Sequence, residues 1–170
     1  MQAGLAYKVH HTSAWGIPLG AQINSRKFKV VLFDIGIHQR IQQNDISSII
    51  VSSDFNVINK GNLVEAFVGL ELIKNNAPHI PSFLYYWHRE TASSNAEVDY
   101  VIQRGEQILP IEVKAGTKGQ MQSMNLFLKE RNLSTGIRIS FENFASYKNI
   151  EVLPLYAINR LLGLNKVGPR

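Results

Sequence analysis

Two short segments of alternating polar and apolar residues, joined by a tight-turn sequence, constrain the fold of this 170-residue chain most strongly. The segments are residues 97–101 and 110–114, and the turn centres on Gly105 and Glu106. Alternation with period two is typical of β-strands, and glycine as the first central residue of a two-residue loop favours a type II′ turn. The pattern therefore predicts a β-hairpin.

This hairpin carries carboxylates on both strands. Period-two geometry puts Glu97 and Asp99 on one face of the first strand, and Glu112 and Lys114 on one face of the second. Counting outward from the turn sets Asp99 directly opposite Glu112. The same register sets Glu97 directly opposite Lys114. A three-residue or five-residue loop would shift this register by one and set Asp99 diagonal to Glu112.

Two carboxylates in direct opposition repel each other. With Cβ atoms about 5 Å apart and an effective dielectric of about 20, the repulsion is about 3 kcal/mol. A Mg²⁺ or Mn²⁺ ion would neutralise it, and Lys114 could then activate a water or stabilise charge on a phosphate. The alternative is a solvated sheet face on which Glu97 and Lys114 form a surface ion pair.

Other segments predict the remaining elements. We expect strands at residues 5–11, 28–34, 83–88, 136–140 and 151–153, and helices at residues 34–43, 61–76, 120–131 and near 161–162. Residues 28–34 are apolar nearly throughout, which indicates a strand buried on both faces. Asp34 can cap the next helix, and residues 44–59 predict a long loop. Together these elements predict a mixed α/β (α+β) fold.

Glu65 lies in the predicted helix at residues 61–76. That helix is apolar around more than half of its circumference, so Glu65 either points into a polar site or occupies the one exposed stripe.

Charge is unevenly distributed in a chain of net charge +5. Residues 61–130 contain eight of the 13 acidic residues against six basic ones, whereas the regions before and after are basic. The pattern indicates an acidic, metal-seeking centre with basic flanks that suit an anionic partner such as DNA. A DNA-binding module driven by basic charge alone is a weaker alternative.

Cysteine is absent from the chain. This excludes disulfides, thiolate zinc sites, iron–sulfur clusters and cysteine nucleophiles, and it predicts a cytoplasmic protein. Strictly apolar stretches reach four or five residues, against the roughly 20 that a membrane span needs, so we expect no membrane association.

Several of these residues match a known pattern. Glu65 in a helix, Asp99 on a strand and Glu112 with Lys114 on the next strand resemble the PD-(D/E)XK nuclease superfamily, whose signature is an acidic residue followed, after a gap, by (D/E)-X-K on a hairpin. More closely, the chain resembles the conserved C-terminal domain of unknown function of bacterial and archaeal AAA-type ATPases. The segments that carry this resemblance are residues 5–9 with 28–36, 60–68, 85–87 with 96–101, and 110–116.

The resemblance implies a restriction-endonuclease-like core, with a central mixed β-sheet flanked by helices. It implies that Asp99 and Glu112 bind Mg²⁺ or Mn²⁺ and that Glu65 adds a carboxylate. Lys114 would activate a water or act on the phosphate. One departure is that valine, not proline, precedes Asp99.

The resemblance also implies a larger protein and two functional hypotheses. Residues 27–170 are expected to form one nuclease-like domain, and residues 1–26 a strand or hairpin segment left from a truncated upstream part. The sequence has no G-x-x-x-x-G-K-[ST] phosphate-binding loop, so we expect no ATPase activity from it. The domain would bind a metal and bind or hydrolyse DNA, attached to an AAA ATPase core. The alternative is a catalytically inactive regulatory or protein-interaction module; oligomeric state is left open.

Overall fold

A mixed β-sheet organises the part of the chain that the computed structural model describes, which is residues 4–42, 57–74, 83–91, 95–116 and 119–162. The strands are β1 (Ala6–Thr12), β2 (Ile23–Leu32), β3 (Tyr85–His88), β4 (Glu97–Arg104), β5 (Gln107–Val113), β6 (Gly136–Ser140), β7 (Ala145–Tyr147) and β8 (Ile150–Pro154). The α-helices are α1 (Ile35–Ile41), α2 (Val57–Lys74) and α3 (Gln122–Arg131), and 3₁₀ helices cover Leu19–Gln22 and Leu155–Leu162.

The strand order across the sheet is β2-β1-β3-β4-β5-β6-β8-β7. The pairs β1/β3, β5/β6 and β6/β8 are parallel, and the other neighbours are antiparallel. This confirms the predicted mixed sheet flanked by helices. Among the described residues, no helix has both the length and the apolar character that crossing a bilayer requires.

Two hydrophobic clusters cover opposite faces of the sheet. Helix α2 contributes Val64 and Val68 to the first cluster, together with alternate residues of the central strands. Helix α3 contributes Phe127 to the second, where its ring meets Trp87 edge to face with centroids 5.0 Å apart. Each fully buried apolar side chain of this size contributes about 1.5–3 kcal/mol, so these two clusters fix both helices on the sheet.

The predicted hairpin is confirmed as β4 and β5. Gly105, the first central residue of the turn, has a φ of +59°, and Glu106, the second, does not have a positive φ. This combination is the one that a type II′ turn requires. Arg104 pairs with Gln107, and the antiparallel register continues to Tyr100 opposite Ile111.

The expectation that residues 28–34 form a strand buried on both faces is wrong. β2 lies at the edge of the sheet, where it pairs with β1. Val31 is buried, but Phe28 and Val30 are 41% and 44% exposed. A short apolar run is compatible with an edge strand as well as a central one, because strand order depends on contacts remote in sequence.

Other boundaries agree in part with the predictions. Asp34 caps α1, where its Oδ1 accepts a hydrogen bond from the Ile37 N–H at 2.9 Å. Helix α2 begins at Val57, inside the predicted loop, while residues 43–56 lie outside the described residues. The division expected at residue 26 falls within β2, and strand β7 was not predicted.

Two glycines of α2 provide a test of the packing between this helix and the sheet. A Cβ atom on Gly69 would overlap the Tyr100 hydroxyl, whereas one on Gly61 would meet nothing within 4 Å. We expect Gly69→Ala to lower the free energy of unfolding by about 1–3 kcal/mol and Gly61→Ala to raise it by about 0.5–1 kcal/mol. Urea unfolding of both variants measures this, and equal effects would contradict the packing described.

Candidate metal centre

Three carboxylates from α2 and β4 converge on one point. Within the described part of the chain, one oxygen each from Glu65, Glu97 and Asp99 lies within 4.8 Å of the others. Glu65 comes from α2, and the other two come from β4. All three residues are partly buried. Carboxylates this close repel each other unless a cation or a proton compensates for their charge.

A bulge in β4 directs Asp99 toward α2. The register between β3 and β4 shifts, so that Asp99 and Tyr100 together stand opposite the single residue Tyr86. Val98 and Val101 flank the bulge, and both pack in the second hydrophobic cluster, on the side of α3. Tyr100 packs in the first cluster, on the side of α2. The extra residue therefore re-aims the strand, as β-bulges commonly do beside functional sites.

The carboxylate of Asp99 also marks the point where β4 and β5 part. Their paired register ends at Tyr100 and Ile111. Beyond it, the N–H of Val113 donates to Oδ2 of Asp99 at 2.7 Å. A side chain thus takes the place of a backbone acceptor in the ladder. The predicted pairing of Asp99 with Glu112 would be the next step of that register, but the contact observed for Asp99 is with the Val113 amide.

Lys29 of β2 lies between two of the carboxylates. Its Nζ is 3.0 Å from Oε1 of Glu65 and also contacts Oε1 of Glu97. Burial opposes the charged form of Lys29, but the carboxylates of Glu65 and Glu97 outweigh it and raise its pKa above the ordinary value. Lys29 therefore supplies one fixed positive charge to a cluster of three carboxylates.

Asp99 is the member of this cluster whose charge is least compensated. Burial raises its pKa to about 7, and the nearby carboxylates of Glu65 and Glu112 act in the same direction. The hydrogen bond from Val113 and the charge of Lys29 oppose this rise. Near neutral pH, Asp99 can therefore hold a proton or, if a cation is bound beside it, give that proton up.

Glu112 and Lys114 form a pair on β5. The Lys114 Nζ is 2.6 Å from Oε1 of Glu112, while Oε2 of Glu112 is buried without a hydrogen-bond partner in the described part of the chain. Burial raises the pKa of Glu112, and Lys114 reduces that rise. The alternative ion pair of Glu97 with Lys114 is not what forms, because Glu97 contacts Lys29 instead.

The structure thus places two of the four predicted site residues in the carboxylate cluster and pairs the other two, Glu112 and Lys114, with each other. Glu65 and Asp99 share the carboxylate cluster, which Glu97 completes. Glu112 lies close enough to raise the pKa of Asp99, but it is not one of the three residues within 4.8 Å of one another.

Lys29 was not predicted as a site residue. It belongs to a basic group on β2, within the basic region that precedes residue 61: Arg26, Lys27 and Lys29. Two of its members form ion pairs within the chain, Lys27 with Glu90 and Lys29 with the carboxylate cluster. The sequence signal was a lysine on an apolar strand, which indicates a charge that needs a partner.

The donor set fits a hard divalent cation. Glu65, Glu97 and Asp99 offer carboxylate oxygens and no nitrogen or sulfur, which is the ligand chemistry preferred by Mg²⁺ and Mn²⁺. The three oxygens lie within 4.8 Å of one another, and a bound ion would draw them closer, since ligand atoms on one small ion lie about 3 Å apart.

Fold and cluster together define a mixed α/β domain with a candidate oxygen-ligand cation site. The chain belongs to the family DUF4143, a domain of unknown function, whose family model matches residues 60–158 and so more than half of the chain. That range contains Glu65 and the whole β4–β5 hairpin. Searches of curated proteins and of solved structures found no match.

Substituting Asp99 by Asn tests the electrostatics of the cluster. The pKa of Asp99 is about 7 in the folded chain and near 3.9 when unfolded, so the folded state binds more protons between these values. Stability therefore falls as pH rises from about 4 to 7. Asp99→Asn keeps the acceptor for Val113 and removes the charge. We expect it to be more stable than wild type by about 4 kcal/mol at pH 8, and equal near pH 4.

Urea unfolding across this pH range, with chelator present, measures the difference between the two proteins. Parallel pH profiles for wild type and Asp99→Asn would show that Asp99 carries no unfavourable charge in the folded state.

Proposed function

We propose that this chain is a nuclease-like domain of the PD-(D/E)XK type that binds Mg²⁺ or Mn²⁺ and binds or hydrolyses DNA phosphodiesters. One observation carries the proposal: carboxylates of α2 and β4 converge within 4.8 Å in a partly buried site. The resemblance of Glu65, Asp99, Glu112 and Lys114 to that superfamily supports it.

The charge balance of the cluster supports a cation in particular. Lys29 offsets part of the charge of Glu65 and Glu97, and Asp99 adds a third carboxylate, whose pKa is raised first by burial and further by Glu65 and Glu112. A bound divalent ion would relieve this excess of negative charge. When bound, such an ion supplies Lewis-acid stabilisation of phosphate oxygens and lowers the pKa of a coordinated water.

The chain's own residues divide the work of such a site. Glu65, Glu97 and Asp99 would hold the ion. Glu112 fixes the Lys114 amine through the 2.6 Å contact, and the Lys114 side chain remains 28% exposed. From there the amine can donate to a phosphate oxygen as negative charge develops on it. Oε2 of Glu112, buried and without a hydrogen-bond partner among the described residues, is an additional acceptor beside the site.

Mn²⁺ binding and DNA cleavage are measured on wild type and on variants of the carboxylates and of Lys114. We expect wild type to bind Mn²⁺ by calorimetry, with affinity falling at least tenfold in Glu65→Gln, because one carboxylate of the set is lost. We expect cleavage of plasmid or single-stranded DNA with Mn²⁺ to fall at least 100-fold in Asp99→Asn and in Lys114→Met.

Glu151→Gln is the control for these variants, since Glu151 is an exposed residue of β8. It should bind Mn²⁺ and cleave DNA as wild type does. If wild type binds Mn²⁺ but neither it nor any variant cleaves DNA, the site is a metal site without nuclease activity. Equal cleavage by wild type and all variants would contradict the roles assigned to these residues.

A second candidate function is a non-catalytic regulatory or interaction module, attached to an AAA-type ATPase as the resemblance implies. The observation that favours it is the pairing already present: Lys29 contacts Glu65 and Glu97, and Lys114 contacts Glu112. In this alternative the lysines, rather than a metal, neutralise the carboxylates, and the cluster serves to join α2 to the sheet.

Removing Lys29 separates the two candidates. Lys29→Met leaves Glu65 and Glu97 without their cation, so we expect the metal-free protein to lose about 1–3 kcal/mol of stability. If the cluster is a metal site, Mn²⁺ should raise the melting temperature of this variant by more than that of wild type, because the ion no longer competes with the lysine.

Thermal unfolding with chelator gives the stability of the metal-free proteins, and unfolding with Mn²⁺ gives the rise in melting temperature that the ion causes. Lys27→Met is the matched control, because the pair of Lys27 with Glu90 is about half exposed, and its loss should change stability by less than about 1 kcal/mol. No effect of Mn²⁺ on Lys29→Met would favour the non-catalytic module.

A further inference from the structure

The loop between β1 and β2 presents a large aromatic side chain to solvent. Trp15 is 69% exposed, which leaves most of its apolar surface in water. Its backbone is nevertheless held in place by Gln22. Oε1 of Gln22 accepts the Trp15 N–H at 2.8 Å, and Nε2 of Gln22 donates to the Gly16 carbonyl at 2.6 Å. The exposed position of Trp15 is therefore built into the fold.

Arg131 at the end of α3 orients the indole ring. Its guanidinium carbon lies 3.8 Å from the centre of the Trp15 ring, and its Nε donates to the Ser13 carbonyl at 2.8 Å. The Arg131 side chain is only 6% exposed, so the loop and α3 hold it firmly. One face of the indole thus rests on a cation, and the exposure of the residue leaves the opposite face available for stacking.

A cavity of about 430 Å³ adjoins this ring. Its volume lies in the range of small-ligand sites. Two carboxylates at the cavity, Glu90 and Glu130, are already paired, the first with Lys27 at 2.8 Å and the second with Arg89 at 2.7 Å. Glu130 also contacts Arg131 at 3.4 Å, and Lys27 reaches Glu90 from outside the cavity wall, so three basic groups lie at or beside the cavity against two acidic ones. The described surroundings of the cavity therefore carry a net positive charge that suits an anionic ligand.

The cavity lies beside the carboxylate cluster. His88, which lines the cavity, is the register partner of Glu97 across β3 and β4. On β2, Lys27 is two residues from Lys29, whose amine contacts the cluster. The cavity wall at His88 therefore adjoins the start of β4, where Glu97 lies.

We propose that Trp15 and the adjoining cavity bind an unpaired base of a single-stranded nucleic acid. The inference rests on the proposed function and names its substrate class. An exposed indole face stacks on a nucleobase whatever its sequence, and the net positive charge accommodates the flanking phosphates. Bases inside a duplex are stacked on each other and do not offer a free face, so the site selects single strands.

Tryptophan fluorescence of the full chain tests the inference. The chain has two tryptophans, and Trp87 is only 2% exposed, so quenching by a ligand reports on Trp15. The probes are thymidine and uridine oligomers of about ten nucleotides. Titrations contain chelator, so that binding is measured without any metal-dependent step. We expect quenching by one or both oligomers, and affinity about tenfold weaker in Trp15→Ala, measured by fluorescence anisotropy of labelled oligomer.

Two further variants sharpen the test. Trp15→Phe keeps an aromatic face and should retain most of the affinity. Tyr156→Ala removes an aromatic residue elsewhere that is 78% exposed, and it should bind as wild type does.

Equal affinity of Trp15→Ala and wild type would overturn the inference, as would binding of a duplex with the same affinity as a single strand. Quenching by a proline-rich peptide but by neither oligomer would overturn it too, and would assign Trp15 to a protein partner. Binding that depends on Trp15 but is not followed by cleavage with Mn²⁺ would support this inference and count against the proposed hydrolysis.

Discussion

The contact of Lys29 with Glu65 and Glu97 ties three parts of the structure together. Lys29 lies on the edge strand β2, Glu65 on the covering helix α2, and Glu97 at the start of β4. Partly buried charges must be paired, because their desolvation is otherwise too costly. The position of α2 over the sheet therefore depends on this charge contact as well as on the apolar cluster beneath the helix.

Electrostatics also explains why the same residues suit two functions. The lysine compensates one unit of charge, while three carboxylates converge, and burial together with the neighbouring carboxylates raises the pKa of Asp99. A proton on Asp99 balances the cluster in one state, and a divalent cation would balance it in another. The same carboxylates can therefore form a structural ion-pair network or a metal centre. Which of the two forms depends on the affinity of the cluster for the divalent ion.

The hairpin was predictable from sequence because it is local. Gly105 sets the turn, and the turn sets the register as far as Tyr100 and Ile111. The bulge at Asp99 was not predictable, because it arises from pairing with β3. Lys29 and Glu65 are 36 residues apart, so no local pattern reveals their contact. The sequence therefore identified Glu65 and Asp99 as candidates, whereas the lysine that contacts Glu65 and Glu97 follows only from the strand order.

Asp99 has a structural role that any function of the site must accommodate. At this residue β4 departs from both of its neighbours, with a bulge against β3 and an end of pairing with β5. The Val113 amide left by that parting is satisfied by the Asp99 carboxylate. A partly buried amide without an acceptor costs about 1–3 kcal/mol, so an alanine at Asp99 would weaken the fold whatever the site does. Asparagine keeps the acceptor, and for that reason it isolates the charge of Asp99 from its place in the sheet.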